Sequence, residues 1–185
     1  MRVIAGTARS MPLKTIRGTD TRPTTDKTKE TLFNILQSHV PDSRFLDLFS
    51  GSGGIAIEAL SRGAAYAVLV EQNPRAVQCM RENVVFTKVD DRAEIQKCDV
   101  LTALRRMEGQ KPFDIIFMDP PYGQEMEQQV LAYLKDSTLA DYDTVIVVEA
   151  SVDTDFSWLA KMGFDAYKYK KYKTNQHVFL QKKEG

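Results

Sequence analysis

Short apolar runs alternate with stretches of helical spacing along most of this 185-residue chain. Phe45-Leu-Asp-Leu-Phe49 reads as a buried strand, and residues 53–62 read as a helix behind it. Residues 66–70 form a second apolar run. Asn73-Pro74 then opens another helix, with proline in a first-turn position where its missing N–H costs nothing. A third strand is expected over 93–98, a short helix over 100–107, a fourth strand over 113–118 and a fifth over 144–148. This alternation predicts a parallel α/β sheet with helices on both faces. The end of the chain breaks the rhythm. Residues 164–172 and 177–181 are separated only by a few positions around Thr174-Asn175, so a β-hairpin is expected there, which makes the final strand antiparallel. Ahead of the first strand, residues 26–40 have helical spacing, with Leu32, Phe33, Leu36 and Val40 on one side and Thr25 as N-cap. The first 22 residues are basic and broken by Gly6, Pro12 and Gly18. They are expected to form an extended arm or small hairpin in front of a single domain over 23–185.

Composition narrows the class. No apolar run approaches the 18 or so residues of a membrane-spanning helix, and the N-terminus lacks the apolar segment of a secretory signal. Cys79 and Cys98 are too few for a disulfide scaffold or a four-cysteine zinc site, so a reducing cytoplasm is expected; a monomer without membrane or metal is the accompanying expectation. The formal net charge is zero but unevenly spread. Residues 1–30 carry seven basic and three acidic side chains, and residues 161–185 carry seven and two. The middle of the chain is correspondingly acidic. Basic ends around an acidic centre suit a polyanion held at the two ends. Arg2, Arg9, Lys14 and Arg17 at the head, with Lys170, Lys171 and Lys173 at the tail, are the candidate contacts. The tail run Tyr167-Lys-Tyr-Lys-Lys-Tyr-Lys173 reads equally well as an edge strand blunted by lysine, with tyrosines on one face and lysines largely on the other.

Asp47-Leu-Phe-Ser-Gly51-Ser-Gly53-Gly54-Ile-Ala56 follows the first strand and opens a helix. Glycines let the chain turn tightly and bring backbone N–H groups against a ligand. Glu71, at the end of the second strand, can accept hydrogen bonds from both hydroxyls of a ribose. Together they describe a nucleoside-cofactor site. Gly51, Gly53 and Ala56 also satisfy a dinucleotide fingerprint. Asp47 favours S-adenosylmethionine, because a carboxylate there repels a pyrophosphate and suits an ammonium and a sulfonium. Asp99 stands where it can reach an adenine amino group or cap the helix from Val100.

The fourth strand ends in Asp119-Pro120-Pro121-Tyr122. Two prolines remove two donors and free the Pro120 carbonyl to face a ligand. Asp119 adds an acceptor and Tyr122 a stacking face. This set suits a planar base with an exocyclic amine. Bonds from both N–H groups to Asp119 and Pro120 localise the nitrogen lone pair for attack on a sulfonium methyl, and Asp119 stabilises the charge that develops. An adenine amine in DNA would fit the same motif. So would a role in which cofactor and RNA are bound without catalysis. His39 and His177 are too far apart in sequence to suggest a dyad, and Trp158 is expected to pack under the sheet.

These residues together resemble the RsmD family of bacterial 16S ribosomal RNA guanine-N2 methyltransferases. Thr21-Arg22-Pro23-Thr24-Thr25-Asp26-Lys27-Thr28-Lys29-Glu30-Thr31-Leu32-Phe33-Asn34 is similar to the family's N-terminal signature. The glycine loop, Glu58-Ala-Leu-Ser-Arg-Gly-Ala64, Asp119-Pro-Pro-Tyr122 and Glu149 match its later blocks. The resemblance implies a Rossmann-like, class I methyltransferase fold with a seven-stranded sheet of order 3-2-1-4-5-7-6. It implies S-adenosylmethionine as cofactor and, as partner, 16S rRNA within the small subunit or an assembly intermediate. By position, Arg22, Thr24, Asp47, Gly51, Gly53, Glu71, Asp99 and Asp119 would surround the cofactor, with Phe49, Ser52, Gln72, Asn73 and Val100 completing the pocket. Residues 7–11 and 173–176 depart from the family pattern, the first being less basic and the second lacking a glycine.

Overall fold

The structure, a computed structural model, describes residues 1–16 and 25–184. Arg17, Arg22 and Thr24 lie outside the described residues. The chain runs α1 (Asp26–Ile35), β1 (Arg44–Asp47), α2 (Gly54–Ser61), β2 (Tyr66–Val70), α3 (Pro74–Phe86), β3 (Ala93–Gln96), α4 (Val100–Met107), β4 (Ile115–Met118), α5 (Met126–Leu134), β5 (Val145–Ser151), β6 (Phe164–Lys171) and β7 (Asn175–Lys182). Short 3-10 turns precede β3 and β6. One sheet of order β3-β2-β1-β4-β5-β7-β6 results. Its first five strands are parallel, and β7 runs antiparallel to both β5 and β6. This is the expected architecture and order.

Burial on both faces explains why the central strands are unbroken apolar runs. Phe45, Leu69, Phe117, Val147 and Phe179 pack against α1, α2 and α3, while Leu46, Val68, Met118, Val148 and Val178 pack against α4 and α5. The N-terminal residues form a small hairpin: Val3 N–H donates to Met11 O, and Arg2 bridges Pro12. Val3, Ala8 and Leu13 sink into the core beside α1 and α2.

Several boundaries differ from expectation. The helix expected over 26–40 stops at Ile35. Leu36 takes ψ 0°, and the following turn leads into Pro41, which disfavours helix before it. Leu36 and Val40 are buried nonetheless. β3 ends at Gln96, not Cys98, and β5 runs on to Ser151, carrying Glu149 inside a strand. α5 has no counterpart among the expected elements; it follows the Pro-Pro loop and buries Val130, Leu131 and Leu134. On β6, a bulge between Ala166 and Lys168 adds Tyr167 as an extra residue. Tyr167 therefore leans on Phe179, while Tyr169 opposes Val178 on the other face, so the tyrosines do not share a face. Trp158 is half-buried, packs against the α4–α5 side of the core and donates its indole N–H to Asp155 O.

Candidate active site

β1 lies between β2 and β4, at the point where the strand order reverses. In open α/β sheets ligands bind just outside the carboxyl ends of such strands. Asp47 and Phe117 are register partners there, and Asp119 and Glu149 each follow one residue after the pair Met118–Val148. The ends of three neighbouring strands thus carry Asp47, Asp119 and Glu149.

Asp47 is 1% exposed. Its Oδ2 accepts from Ser50 Oγ at 3.0 Å, and its Oδ1 is buried without a partner. Burial pushes its carboxyl up to about 7; the hydrogen bond from Ser50 and the backbone N–H groups of Ala56 and Phe49 oppose this, and the nearby Glu71 adds to it. Asp119 is raised well above the usual carboxylate range by burial, then by the charges of Glu149 and Asp47. Burial and crowded like charge raise both carboxyls.

The glycine loop is held from two sides. Gly51 N–H donates to Glu71 Oε1 at 3.0 Å, and Asn73 N–H donates to Glu71 Oε2 at 2.9 Å. Each carboxylate oxygen has a further lone pair for a ligand hydroxyl. Gly51 sits at φ 56° with open space where a Cβ would project, whereas a Cβ on Gly53 (φ 88°) would come within 3.0 Å of Met80 Cγ. The first glycine leaves room for a ligand, and the second allows α2 to pack on α3. Gly53 caps α2 without a side-chain bond, and the first-turn Ala56 N–H is directed at the Asp47 carboxylate. Ser52 is partly buried, and its carbonyl accepts from Asn83 Nδ2 at 2.9 Å. Phe49 is partly buried beside the loop.

Asp99 does act as a helix N-cap. It accepts from Thr102 N–H at 3.0 Å and Thr102 Oγ1 at 2.6 Å, and these bonds hold its carboxyl below the usual range. Asp99 is exposed and Val100 behind it is buried. Asn73 caps α3 through Arg75 N–H, and Gln72 is exposed. Pro120 is buried, Pro121 exposed and Tyr122 67% exposed, beyond the last ladder residue Met118.

The candidate polyanion contacts are distributed unevenly. Arg2 faces Asp26 and Lys14 faces Glu82, so both are partly neutralised. Arg9 is exposed. Lys170 is partly buried on the edge strand β6, with Lys171 and Lys173 exposed beside it.

Two features escaped sequence reasoning. Asn83, 1% exposed, exchanges bonds with Lys14 N–H and O while holding Ser52 O, so it ties the N-terminal hairpin to the glycine loop. His177 is 0% exposed, paired in register with Glu149, with its Nε2 3.3 Å from Glu149 Oε2. Neither signal is local: the partners lie 69 and 28 residues away in the chain. Among the described residues no group of three His, Cys, Asp or Glu could hold a metal, and no helix is long and apolar enough to cross a membrane.

Residues 1–181 match the family model described as conserved hypothetical protein 95. The chain is 37% identical over 150 residues to YlbH of Bacillus subtilis (strain 168), covering 80% of this chain and 82% of that protein. It is 33% identical over 153 residues to the ribosomal RNA small subunit methyltransferase D of Escherichia coli (strain K12), covering 83% and 76%. The solved structure of yhhF from Escherichia coli superposes with a TM-score of 0.84 at 26% identity, covering 100% of this chain and 99% of that one.

Proposed function

The chain belongs to the RsmD family of ribosomal RNA methyltransferases, and from that premise we propose that it transfers a methyl group from S-adenosylmethionine to the exocyclic N2 amine of a guanine in 16S rRNA of the small ribosomal subunit. The observation that carries the reading is the position of Asp119-Pro120-Pro121-Tyr122 at the carboxyl end of β4, beside the buried and under-partnered Asp47.

The residues present fit the cofactor. Asp47 Oδ1 is a buried acceptor with no partner and suits an ammonium. Glu71 suits the ribose hydroxyls and Gly51 leaves space. Asp99 and Val100 would border the adenine. When bound, the cofactor supplies an electrophilic methyl on a positively charged sulfur.

The chain supplies the rest. Tyr122, mostly exposed, offers its ring to the target base, a stack worth about 1–3 kcal/mol. Asp119 and the Pro120 carbonyl accept the two amine N–H bonds and draw the lone pair out of the ring. A cation close to Asp119 and Asp47 offsets their mutual repulsion and favours their charged forms, so the pocket becomes a better acceptor once loaded. Two substrates fixed at the end of a rigid strand react as one molecule. Lys170, Lys171 and Lys173, with Arg9, would meet RNA phosphates.

The test is Asp119→Asn in a methyl-transfer assay on unmodified small subunits. Transfer is expected to fall about 10²–10³-fold, the usual cost of deleting one preorganised electrostatic group. Full activity in this variant would exclude Asp119 from the chemistry, and an intact assembly effect without transfer would favour a binding role.

A further inference from the structure

Behind Asp119, the face of the sheet that packs on α1, α2 and α3 is apolar along β4, β5 and β7 except at its carboxyl edge. There Glu149 and His177 are register partners on β5 and β7, 5% and 0% exposed. Glu149 Oε1 accepts from Asn175 Nδ2 at 2.6 Å. Glu149 Oε2 and His177 Nε2 stand 3.3 Å apart, and neither atom has a hydrogen-bond partner. The other ring nitrogen, Nδ1, lies 3.1 Å from the Tyr172 hydroxyl. Phe117, one residue before the end of β4, sets its ring edge-on to the imidazole. Lys170 is the register partner of His177 on β6, while Asp119 and Asp47 are the other carboxylates at this edge.

One tautomer suits both ring neighbours, with Tyr172 donating to Nδ1 and Nε2–H turned to Glu149. Burial and the charge of Glu149 push the Tyr172 phenol up to about 12, so it keeps its proton and can donate to Nδ1. The imidazole proton then sits on Nε2, facing the Glu149 carboxylate. Burying a carboxylate beside an imidazole costs several kcal/mol, which an apolar pair at these positions would avoid. What the pair can do there is handle protons.

Amine methylation needs that service. The nitrogen lone pair forms the new N–CH3 bond, the electrons of the old bond stay on sulfur, and the product nitrogen carries a positive charge until it loses a proton. We propose that His177 is a positioning residue for this reaction: with Tyr172 it fixes the Glu149 carboxylate beside Asp119, and Glu149, so held, takes the proton that Asp119 accepts from the methylated amine. The proton ends on the Glu149 carboxylate and returns to solvent before the next turnover, leaving Asp119 ionised. The inference rests on the reading of Asp119 given above.

His177→Asn keeps an acceptor near the Nδ1 position and deletes Nε2. It is expected to lower kcat about 10- to 100-fold, within or below the usual range for acid–base groups. The kcat–pH profile is expected to move to higher pH, because bulk base must now take the proton. Affinity for S-adenosylhomocysteine is expected to stay within about twofold, a margin worth only about 0.4 kcal/mol. A loss of rate that is the same at every pH, or no loss, would overturn the proposal. Tyr172→Phe removes only the hydroxyl and is expected to move the profile in the same direction by less; an unmoved profile in a folded Tyr172→Phe protein would overturn it even if the first variant does not fold. The activity-free arm is the imidazole 15N spectrum, in which the chain's two histidines are told apart by a His39 variant. Protonated Nε2 is expected, and bare Nε2 with a proton on Nδ1 would overturn the proposal. Absence of transfer by the unsubstituted chain would remove the underlying reading while leaving the spectrum to judge the pair.

Discussion

Lys29 on α1 and Glu58 on α2 form an ion pair, Nζ to Oε1 at 3.2 Å, with both side chains fully buried. Glu58 is satisfied on every side: Ile4 and Ala5 donate backbone N–H groups to its two oxygens, and Arg62 Nε reaches Oε2 at 2.8 Å. Lys29 also donates to Arg2 O. The cluster therefore fastens the N-terminal hairpin and α1 to the helix that follows the glycine loop, on both sides of the segment holding Arg22 and Thr24. Burial lowers the Lys29 ammonium, and the charge and hydrogen bond of Glu58 oppose this.

Removing one partner of such a pair strands the other, so Glu58→Ala is expected to cost about 3–5 kcal/mol, and Glu58→Gln less because it keeps some of the hydrogen bonds. Equilibrium urea unfolding checks this. A loss under about 1 kcal/mol for Glu58→Ala would mean that the pair is solvated in solution, as surface pairs are.

Asp47 gives a prediction with a definite sign. Its folded-state value of about 7 lies above the ordinary 3.8, so the folded chain holds a proton that the unfolded chain releases. The associated stability is present below about pH 4 and disappears as pH rises through 7. At pH 8 Asp47→Asn is expected to stabilise the ligand-free protein by up to about 4 kcal/mol, each tenfold change in proton affinity being worth roughly 1.4 kcal/mol. The same variant should lose most of its affinity for the cationic cofactor. Thermal unfolding at pH 5 and pH 8, with and without S-adenosylhomocysteine, separates the two effects. A variant less stable than the parent at pH 8 would contradict the assignment of Asp47 as a buried acceptor awaiting a cation.

Cofactor binding should be coupled to protons in consequence. Affinity for S-adenosylmethionine is expected to rise about tenfold per pH unit at most between pH 5 and 7 and to level off above 7, with proton release on binding. Calorimetry in buffers of different ionisation enthalpy reads the released protons directly. Proton uptake on binding would contradict the account.

The basic tail makes a prediction about salt. Lys170, Lys171 and Lys173 lie on and beside the edge strand, whereas Arg2 and Lys14 already face carboxylates. Replacing the three lysines by alanine together is expected to weaken RNA binding and to reduce the log–log salt slope by about 2, near 0.7 for each phosphate that a lysine no longer neutralises. Binding unchanged across a salt series would assign the run to protection of the sheet edge.

Legibility followed sequence distance. The glycine loop, Glu71 and Asp119-Pro120-Pro121-Tyr122 are contiguous motifs at strand ends, so pattern and chemistry coincide there, while the strand order comes with the family resemblance and not from the alternation. The Lys29–Glu58 pair, Asn83 and the Glu149–His177 pair join positions about 30 to 70 residues apart, and none has a spacing that announces its partner. His177 has nothing acidic beside it in the chain; Glu149 reaches it only through the β5–β7 pairing. The Tyr167 bulge is hidden for a similar reason, since alternation along β6 says nothing about an extra residue that β7 lacks.

The most direct test of the central claim is transfer of labelled methyl from S-adenosylmethionine to unmodified small subunits, naked 16S rRNA and duplex DNA in parallel, followed by digestion and identification of the labelled nucleoside. N2-methylguanosine from the ribosomal substrates is the predicted result. Label found as N6-methyladenine in DNA, or no label in any substrate despite cofactor binding, would contradict it.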